Sequence, residues 1–223
     1  MTSEFLNKEY LIQRFRNEGL DSYRSIVEFY EIHAVEIRQL EFEDFFDIYV
    51  EYANALYELG AHHKFIKEAD KIAEMSIANN IVFFRDKDIF QYFLKKKAAA
   101  LYNIGLLDRS EKVLRELLKM APDNREYREL YYRALMKRKS VSKINTRMYA
   151  CVFLFLSAVV IGFELFFIRL FMEDLTSTFE LLRTSLFVFG IMLLVIAEFS
   201  SWVHAKMKVA EVVDEIKKEK EIK

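Results

Sequence analysis

Chemically capable side chains are few in this chain, and their spacing favours neither a metal site nor a catalytic centre. The only cysteine, Cys151, lies in an apolar stretch, so an internal disulfide and a cysteine-based zinc site are excluded. His62 and His63 are adjacent, so their rings point apart on a helix, and neither His33 nor His204 belongs to a set of three metal-ligating residues on one helical face. No glycine-rich phosphate loop or serine elbow occurs. The sequence therefore predicts a protein that is not an enzyme and that holds neither metal nor cofactor.

Two acids stand out because apolar residues surround them. Glu164 lies in the stretch 148–172, where Arg169 is the only other charge, and Glu198 is the only charge in the stretch 186–202. Ionisable residues inside membrane segments are rare and mark paired or functional positions. Both acids are therefore candidate functional residues.

Two long apolar runs carry these acids. At about 1.5 Å per residue, each run is long enough to cross a hydrocarbon core of about 30 Å. A buried helix of a soluble core would show polar residues along one face, and neither run does so. The sequence predicts two membrane spans, at about 148–172 and 181–204, joined by a short acidic turn at about 173–180.

In such a hairpin Glu164 lies toward the outer side and Glu198 near the inner side, so the two acids cannot pair within one chain. One hypothesis is that each acid is neutralised near a boundary by a neighbouring cation. The candidate cations are Arg169 and Arg183 for the outer acid, and Arg147 and Lys206 for the inner acid. The alternative is that both acids face a water-filled path between several copies.

Positive residues concentrate just before the first span. They are Arg133, Lys137, Arg138, Lys139, Lys143 and Arg147. Because Lys and Arg favour the cytoplasmic side, we expect both termini in the cytoplasm, with this basic segment against anionic headgroups. The segment lacks an interleaved aromatic face, so direct nucleic-acid binding is not expected. Residues 1–14 are charged and lack the apolar stretch of a secretory signal.

The region before the spans has the pattern of helices. The chain holds one proline and five glycines, which leaves little to punctuate strands, and apolar residues recur at helical spacing. Gly19, Gly60 and Gly105 each follow an apolar stripe, where a residue free to adopt positive φ would end a helix. Asp108 and Glu111 have the spacing of a capping box that would open the next helix. The sequence predicts an all-α fold, with this region as a row of helical hairpins.

One part of that region resembles a known repeat. From Gln91 to Asn124 the residues resemble a tetratricopeptide unit of 34 residues, and Phe46–Asn79 resembles a degenerate second copy. The matching positions of the first are Leu94, Ala98, Leu101, Gly105, Leu107, Ser110, Leu114, Leu117 and Pro122. About 11 extra residues, 80–90, separate the two copies. Because such arrays bind peptides or partner helices and are rarely catalytic, the resemblance implies an interaction module with a cytoplasmic protein partner.

Two places are candidates for the partner surface. Asn54 occupies a position that matches a ligand-reading residue of the carboxylate-binding arrays that this region resembles. Val82, Phe83 and Phe84 form an apolar run inside the insertion. Such a run is either a contact patch or part of the core.

Small residues at four-residue spacing in the spans favour close helix contact. They are Ala158 with Gly162 in the first span, and Ala197 with Ser201 in the second. Self-association into a homo-oligomer is therefore an open alternative. The segment 205–223 carries a narrow apolar stripe among charges, which predicts a C-terminal helix that either pairs with another helix or remains solvated.

The expected layout is a cytoplasmic helical-repeat domain at 1–140, a transmembrane hairpin at 141–204 and a charged amphipathic helix at 205–223. The leading hypothesis is a two-span protein of a bacterial inner membrane, whose cytoplasmic domain binds a protein partner or signal. The layout is also similar to two-span transmembrane effectors of bacterial antiviral systems of the retron type. That similarity implies, as an alternative, a membrane-perturbing protein that a cytoplasmic partner complex holds inactive.

Overall fold

The chain folds almost entirely into α-helices, which confirms the predicted all-α class. The structure is a computed structural model that describes residues 2–17, 22–142, 144–168 and 176–221. Side chains are described over 9–16, 22–138, 148–166, 177–196, 198–200 and 202–220. Gly19, Lys143 and Arg169 lie outside the described residues, and the side chains of Lys139, Arg147, Ala197 and Ser201 lie outside the described side chains.

The helices follow one another with short connections. Their bounds are α1 Thr2–Asn17, α2 Tyr23–Ile32, α3 Ala34–Ile37, α4 Phe42–Glu58, α5 His62–Ala78, α6 Ile89–Asn103, α7 Leu107–Met120, α8 Arg125–Ser142, α9 Ile144–Phe163 and α10 Thr176–Glu221. A π-helical turn, Glu164–Ile168, follows α9. Two short antiparallel strands, β1 Phe83–Phe84 and β2 Lys87–Asp88, lie between α5 and α6.

The chain divides into two compact units, residues 1–121 and residues 122–223. The division falls earlier than the boundary expected at residue 140. Helix α8, which the sequence analysis assigned to the repeat domain, belongs to the same unit as α9 and α10. The physical reason is that α10 packs against both α8 and α9.

Within unit 1, helices that are neighbours in the chain pack on one another, from α4 to α5, α5 to α6 and α6 to α7. Ser110 of α7 is fully buried, and its Oγ donates a hydrogen bond of 2.8 Å to the carbonyl oxygen of Ala98 on α6. These two small residues let the helices approach closely. Phe65 of α5 is also fully buried and packs on Phe93 of α6, with ring centroids 6.1 Å apart. A large residue fills the α5–α6 contact at this place, where the sequence departs from the tetratricopeptide pattern.

The helix ends predicted at Gly60 and Gly105 are correct, whereas the capping box predicted at Asp108 and Glu111 is wrong. Gly60 and Gly105 end α4 and α6 with φ of 73° and 81°, the left-handed conformation that glycine adopts without strain. The capping box was wrong, because the N-cap of α7 is Leu106, which provides no side-chain hydrogen bond. Asp108 lies in the first turn of α7, where a negative charge interacts favourably with the helix dipole.

The insertion between α5 and α6 forms a β-hairpin, which the purely helical expectation missed. Arg85 and Asp86, the two central residues of its turn, have φ of 48° and 61°, the conformation of a tight two-residue hairpin turn. The Arg85 guanidinium forms ion pairs with Asp47 and Glu51 of α4, which hold the hairpin on that helix. Asp88 then caps α6, since its carboxylate accepts a hydrogen bond of 2.9 Å from the backbone N–H of Gln91.

Unit 2 is one long antiparallel helical hairpin. Helix α10 has 46 residues, which at about 1.5 Å per residue makes it about 70 Å long, more than twice the thickness of a hydrocarbon core. Its first half faces α9 and its last part faces α8. The C-terminal helix expected at 205–223 is present, and its residues 205–221 form the end of α10.

The C-terminal part of α10 pairs with α8, which decides between the two alternatives left open for this segment. Val212, Val213 and Ile216 are buried, as is Tyr131 on α8. Lys217 Nζ lies 2.7 Å from a carboxylate oxygen of Asp123, the residue two before α8. Together these contacts make the end of α10 a packed helix.

Candidate functional site

The seam between α9 and α10 is built from small and polar residues. Ala150, Ser157 and Glu164 are buried and lie seven residues apart, the repeat of two helices that pack along a supercoiled seam. On α10, Gly190 is buried and Arg183 lies seven residues before it. Ser157 Oγ donates a hydrogen bond of 3.3 Å to the carbonyl oxygen of Arg183.

Gly190 is a point of close approach between α9 and α10. A Cβ atom built on Gly190 would lie 3.1 Å from side-chain carbons of Leu154 and 3.5 Å from the carbonyl oxygen of Ala150. An alanine at this position would therefore require the Leu154 side chain to shift by a few tenths of an ångström. Gly190, Ala150 and Ser157 were not predicted from the sequence, and the signal that could have found them is the heptad spacing within each helix.

The small residues singled out from the sequence do not form this seam. Ala158 is exposed, and a Cβ on Gly162 would meet nothing within 4 Å. Both residues lie on α9, and the outer surface of this helix is open at these two positions. Ala197 and Ser201 have no described side chains.

Glu164 is the chief polar feature of the seam. Its side chain is fully buried, and Arg183 Nη1 donates a hydrogen bond of 3.1 Å to Oε2 of Glu164 across the two helices. The π-helical turn begins at Glu164, so the helix widens at the acid. Of the two environments considered for Glu164, the partnered one is present within the single chain, because Arg183 contacts the carboxylate inside the hairpin.

Glu198 does not join this site. It lies on the exposed surface of α10, fifteen residues after the arginine that pairs with Glu164. Nearby, Lys206 Nζ lies 4.0 Å from the ring centroid of Trp202, a cation–π contact. Glu164 and Glu198 therefore lie apart in the structure, as expected from their positions along the two apolar runs.

The outer surface of the hairpin is apolar. Large apolar side chains on both helices are more than a third exposed, among them Val152, Phe155, Val159, Phe163, Phe166, Leu181, Val188, Met192, Val195, Ile196 and Phe199. Two helices of the described chain are long and apolar enough to cross a membrane, Met148–Phe166 within α9 and its π turn, and α10 from Ser177 onward. In the most apolar 18-residue stretch of each helix, only 17% and 6% of the residues, respectively, are buried. Large apolar side chains therefore lie outside the hairpin, whereas Ser157 and Glu164 lie inside it.

The described part of the basic segment lies on α8. Arg133 and Arg138 are exposed and Lys137 is half-buried. Arg133 forms an ion pair with Glu129 one turn earlier on the same helix. Arg138 and Lys137 lie at the end of α8 that leads to α9.

A second candidate site is an aromatic cleft in unit 1. The cleft has a volume of about 780 Å³ and lies between α2, α4 and α5. Its lining includes Phe45, Tyr49 and Tyr52 of α4 and Tyr30 of α2. The rings of Tyr30 and Tyr52 stack with centroids 3.9 Å apart, and those of Phe45 and Tyr49 with centroids 5.3 Å apart. This clustered aromatic floor was not recognised from the sequence.

Charges of both signs rim the cleft in equal number. Its cationic side chains are Arg38, Lys64 and Lys71, and its acidic side chains are Glu31, Glu68 and Glu74. Lys64 forms an ion pair with Glu31, and Lys71 Nζ lies 3.0 Å from Glu68 Oε2. A site with balanced charge and an aromatic floor suits an amphipathic peptide segment better than a polyanion.

Tyr49 connects the floor of the cleft to its rim. Its hydroxyl donates a hydrogen bond to Glu68, and its side chain is buried. Burial and the adjacent Glu68 carboxylate raise the pKa of the Tyr49 hydroxyl well above its usual range. The neutral hydroxyl is thus a fixed donor that holds Glu68 at the rim.

The residues proposed for the partner surface have two different environments. Asn54 Oδ1 accepts hydrogen bonds of 3.1 Å from Tyr92 Oη and from Lys96 Nζ, so the Asn54 amide ties α4 to α6. In the insertion, Val82 and Phe83 are exposed, whereas Phe84 packs edge-on against Phe46 with centroids 5.4 Å apart. Val82 and Phe83 therefore remain candidates for a contact patch, and Phe84 belongs to the core contact.

Comparison of this chain with family models, with curated proteins and with solved structures gives no match. The similarity to tetratricopeptide arrays and to retron-type effectors therefore stays a prediction from residues and layout.

The Glu164–Arg183 pair gives a first test. Glu164→Leu or Arg183→Leu alone leaves one charge in the seam, and we expect each to lower the free energy of unfolding by about 2 kcal/mol. The double variant removes both charges and should recover most of that loss. Reversible unfolding by sodium dodecyl sulfate, followed through the single Trp202, measures all three. Glu198→Leu is the control at an exposed acid, and effects of the two single variants that simply add would contradict the pairing.

The pKa of Tyr49 predicts how stability depends on alkaline pH. Above about pH 10 an unfolded tyrosine releases its proton while folded Tyr49 keeps it, so stability is full below that pH and falls as pH rises. The slope is up to about 1.4 kcal/mol per pH unit for this one proton. Urea unfolding in detergent between neutral pH and pH of about 11, followed by circular dichroism, should show a shallower slope in Tyr49→Phe. Tyr10→Phe, at an exposed position, is the control, and an unchanged slope in Tyr49→Phe would refute the assignment.

Proposed function

We propose that this chain is an integral membrane protein that α9 and α10 anchor, and whose N-terminal helical unit binds a protein partner at the cytoplasmic face. The observation that carries the proposal is the uncovered apolar surface of the α9–α10 hairpin. Monomeric soluble proteins rarely expose contiguous apolar patches of more than a few hundred Å². Lipid acyl chains cover such a surface without a further protein.

The proposed topology has two spans with both termini in the cytoplasm. Support comes from the antiparallel hairpin, because a chain that crosses twice returns to the side from which it started. The basic residues before α9, including Arg133, Lys137 and Arg138, favour the cytoplasmic side and an anionic leaflet. We propose a bacterial inner membrane as the host membrane, on the layout that the chain shares with two-span bacterial proteins.

The proposed partner is an amphipathic protein segment, and the aromatic cleft of unit 1 is its proposed site. The tyrosine floor provides stacking and apolar contact, and the mixed rim provides donors and acceptors for a segment with charges of both signs. Val82 and Phe83 of the insertion are exposed and extend the apolar surface that a partner can use.

A photo-crosslinking experiment tests partner binding. The photoreactive residue p-benzoylphenylalanine replaces Phe45 in the cleft, and in a matched control it replaces Lys112, which is exposed on α7 and does not line the cleft. In membranes from cells with their native proteins, we expect one discrete adduct from position 45. Adduct formation should fall when Tyr52→Ala removes the stacked ring. Equal adducts from both positions, or adducts that Tyr52→Ala leaves unchanged, would contradict the proposed site.

A membrane-perturbing effector is the second candidate. The observation that favours it is the open outer surface of α9 at Ala158 and Gly162, where a helix of a second copy can approach closely. Induced expression in bacteria, with membrane potential followed by a voltage-sensitive dye, separates the two functions. Rapid depolarisation that Ala158→Leu with Gly162→Leu abolishes favours the effector, and harmless accumulation favours the anchored adaptor.

A further inference from the structure

The facing residues of the α9–α10 hairpin define a register. Phe153 stacks edge-on with Phe189 at 5.1 Å between ring centroids, and Phe163 lies 6.1 Å from Phe179. Each step forward along α9 is therefore matched by one step back along α10. The ion pair between Asp123 and Lys217 continues the same register past α8. On this register Met148 is level with about residue 193 of α10.

At the end of the hairpin nearer α8, the apolar surface of α10 extends beyond that of α9. Val195, Ile196, Phe199 and Trp202 are exposed on α10. The residues level with them are 139–142 and 144–147, which hold one valine and one isoleucine among eight residues. This part of α10 is thus more apolar than the stretch level with it, although the exposed Glu198 interrupts its apolar surface.

At the other end the offset is reversed. Phe163 at the end of α9 is exposed, as are Leu165 and Phe166 in the π-helical turn. The start of α10 level with them is polar, with Ser177 and Thr178, followed by Glu180, all exposed. The apolar surface of the first helix therefore continues for about 10 Å where that of the second has ended.

The depth over which both helices are apolar is consequently short. It runs from 148 to about 160 on α9 and from 181 to about 193 on α10, which is about 20 Å against an ordinary hydrocarbon core of about 30 Å. Tilting does not remove the difference. The two offset apolar stretches come to the same depth only if the hairpin tilts by more than about 40° from the membrane normal. At such a tilt each stretch of about 30 Å extends over little more than about 20 Å along the normal.

We propose that the hairpin matches a hydrocarbon layer about 20 Å thick, so that it thins an ordinary bilayer around itself. The occupant of its uncovered surface is lipid, with short acyl chains or with longer chains that bend and tilt. This inference rests on the proposed membrane anchoring. A thinned layer lowers the barrier to ions and headgroups, so the offset supplies a physical route to the effector function.

Vesicles of graded thickness test the inference. The purified full chain is reconstituted into dimyristoleoyl, dioleoyl or dierucoyl phosphatidylcholine, and flotation first establishes whether it is bound. A Leu156→Trp chain in which Trp202→Phe removes the native tryptophan has its fluorophore within the shared apolar depth. Quenching of that fluorophore by brominated dioleoyl lipid, in mixtures with each of the other two lipids, then reports which lipid is preferred. We expect dimyristoleoyl lipid to be preferred several-fold and leakage of an enclosed dye to rise from the thinnest to the thickest vesicles.

A variant that lengthens the shared apolar depth provides the matched comparison. Ser177→Leu, Thr178→Leu and Glu180→Leu together extend it by about 6 Å, so the preferred lipid should shift from dimyristoleoyl to dioleoyl. Ser177→Thr, Thr178→Ser and Glu180→Asp preserve polarity and should preserve the original preference.

The outcomes separate the two proposals. Failure to float with any vesicle overturns the membrane anchoring itself. Stable binding without a thickness preference, or a preference for dioleoyl or dierucoyl lipid in the unchanged chain, overturns the thinning. A crosslinkable dimer whose lipid preference is flat overturns it as well, because a second copy and not lipid would then cover the offset surfaces.

Discussion

The account depends on one constraint, the free-energy cost of leaving the outer faces of α9 and α10 in water. At about 25 cal/mol per Å² of apolar surface, even part of these faces outweighs the net stability of a small domain. Covering them decides the environment of the hairpin, and the proposed two crossings with both termini on one side rest on lipid as that cover. The enclosed seam cannot relieve this cost, because it is occupied by small residues and by the Glu164–Arg183 pair.

Helix α10 changes its arrangement along its length. In its first half the apolar side chains face outward, and the seam against α9 holds Gly190 and Arg183. In its last part the buried residues are Val212, Val213 and Ile216, while its charges lie outside. A single continuous helix thus passes from a surface suited to lipid to a surface suited to water. The change lies near Trp202 and Lys206, a pair whose cation–π contact suits the headgroup region.

Much of the fold could be predicted because it depends on patterns within one helix. Apolar runs define the candidate spans, and Gly60 and Gly105 mark helix ends because only glycine adopts their positive φ without strain.

What escaped prediction depends on contacts between elements. The insertion lacks glycine and proline, yet it forms a β-hairpin that Arg85 ties to acids on α4. The seam between α9 and α10 uses Ala150, Ser157 and Gly190, whereas Ala158 and Gly162, at four-residue spacing, lie on the open face. The aromatic cleft brings together tyrosines of α2 and α4, and their sequence separation conceals that proximity.

Cys151 permits the most direct test of lipid around the hairpin. It is the only cysteine, and it is exposed on the surface of α9, so the protein itself does not shield its thiol. In native membranes we predict that Cys151 fails to react with a membrane-impermeant maleimide, because lipid separates the thiol from the aqueous reagent, and that it reacts fully once the membranes are dissolved in sodium dodecyl sulfate. A cysteine placed at the exposed position 211 of a Cys151→Ser chain should react in both conditions. Rapid labelling of Cys151 in the intact membrane fraction, or recovery of the chain in the aqueous fraction with its thiol reactive, would contradict the account.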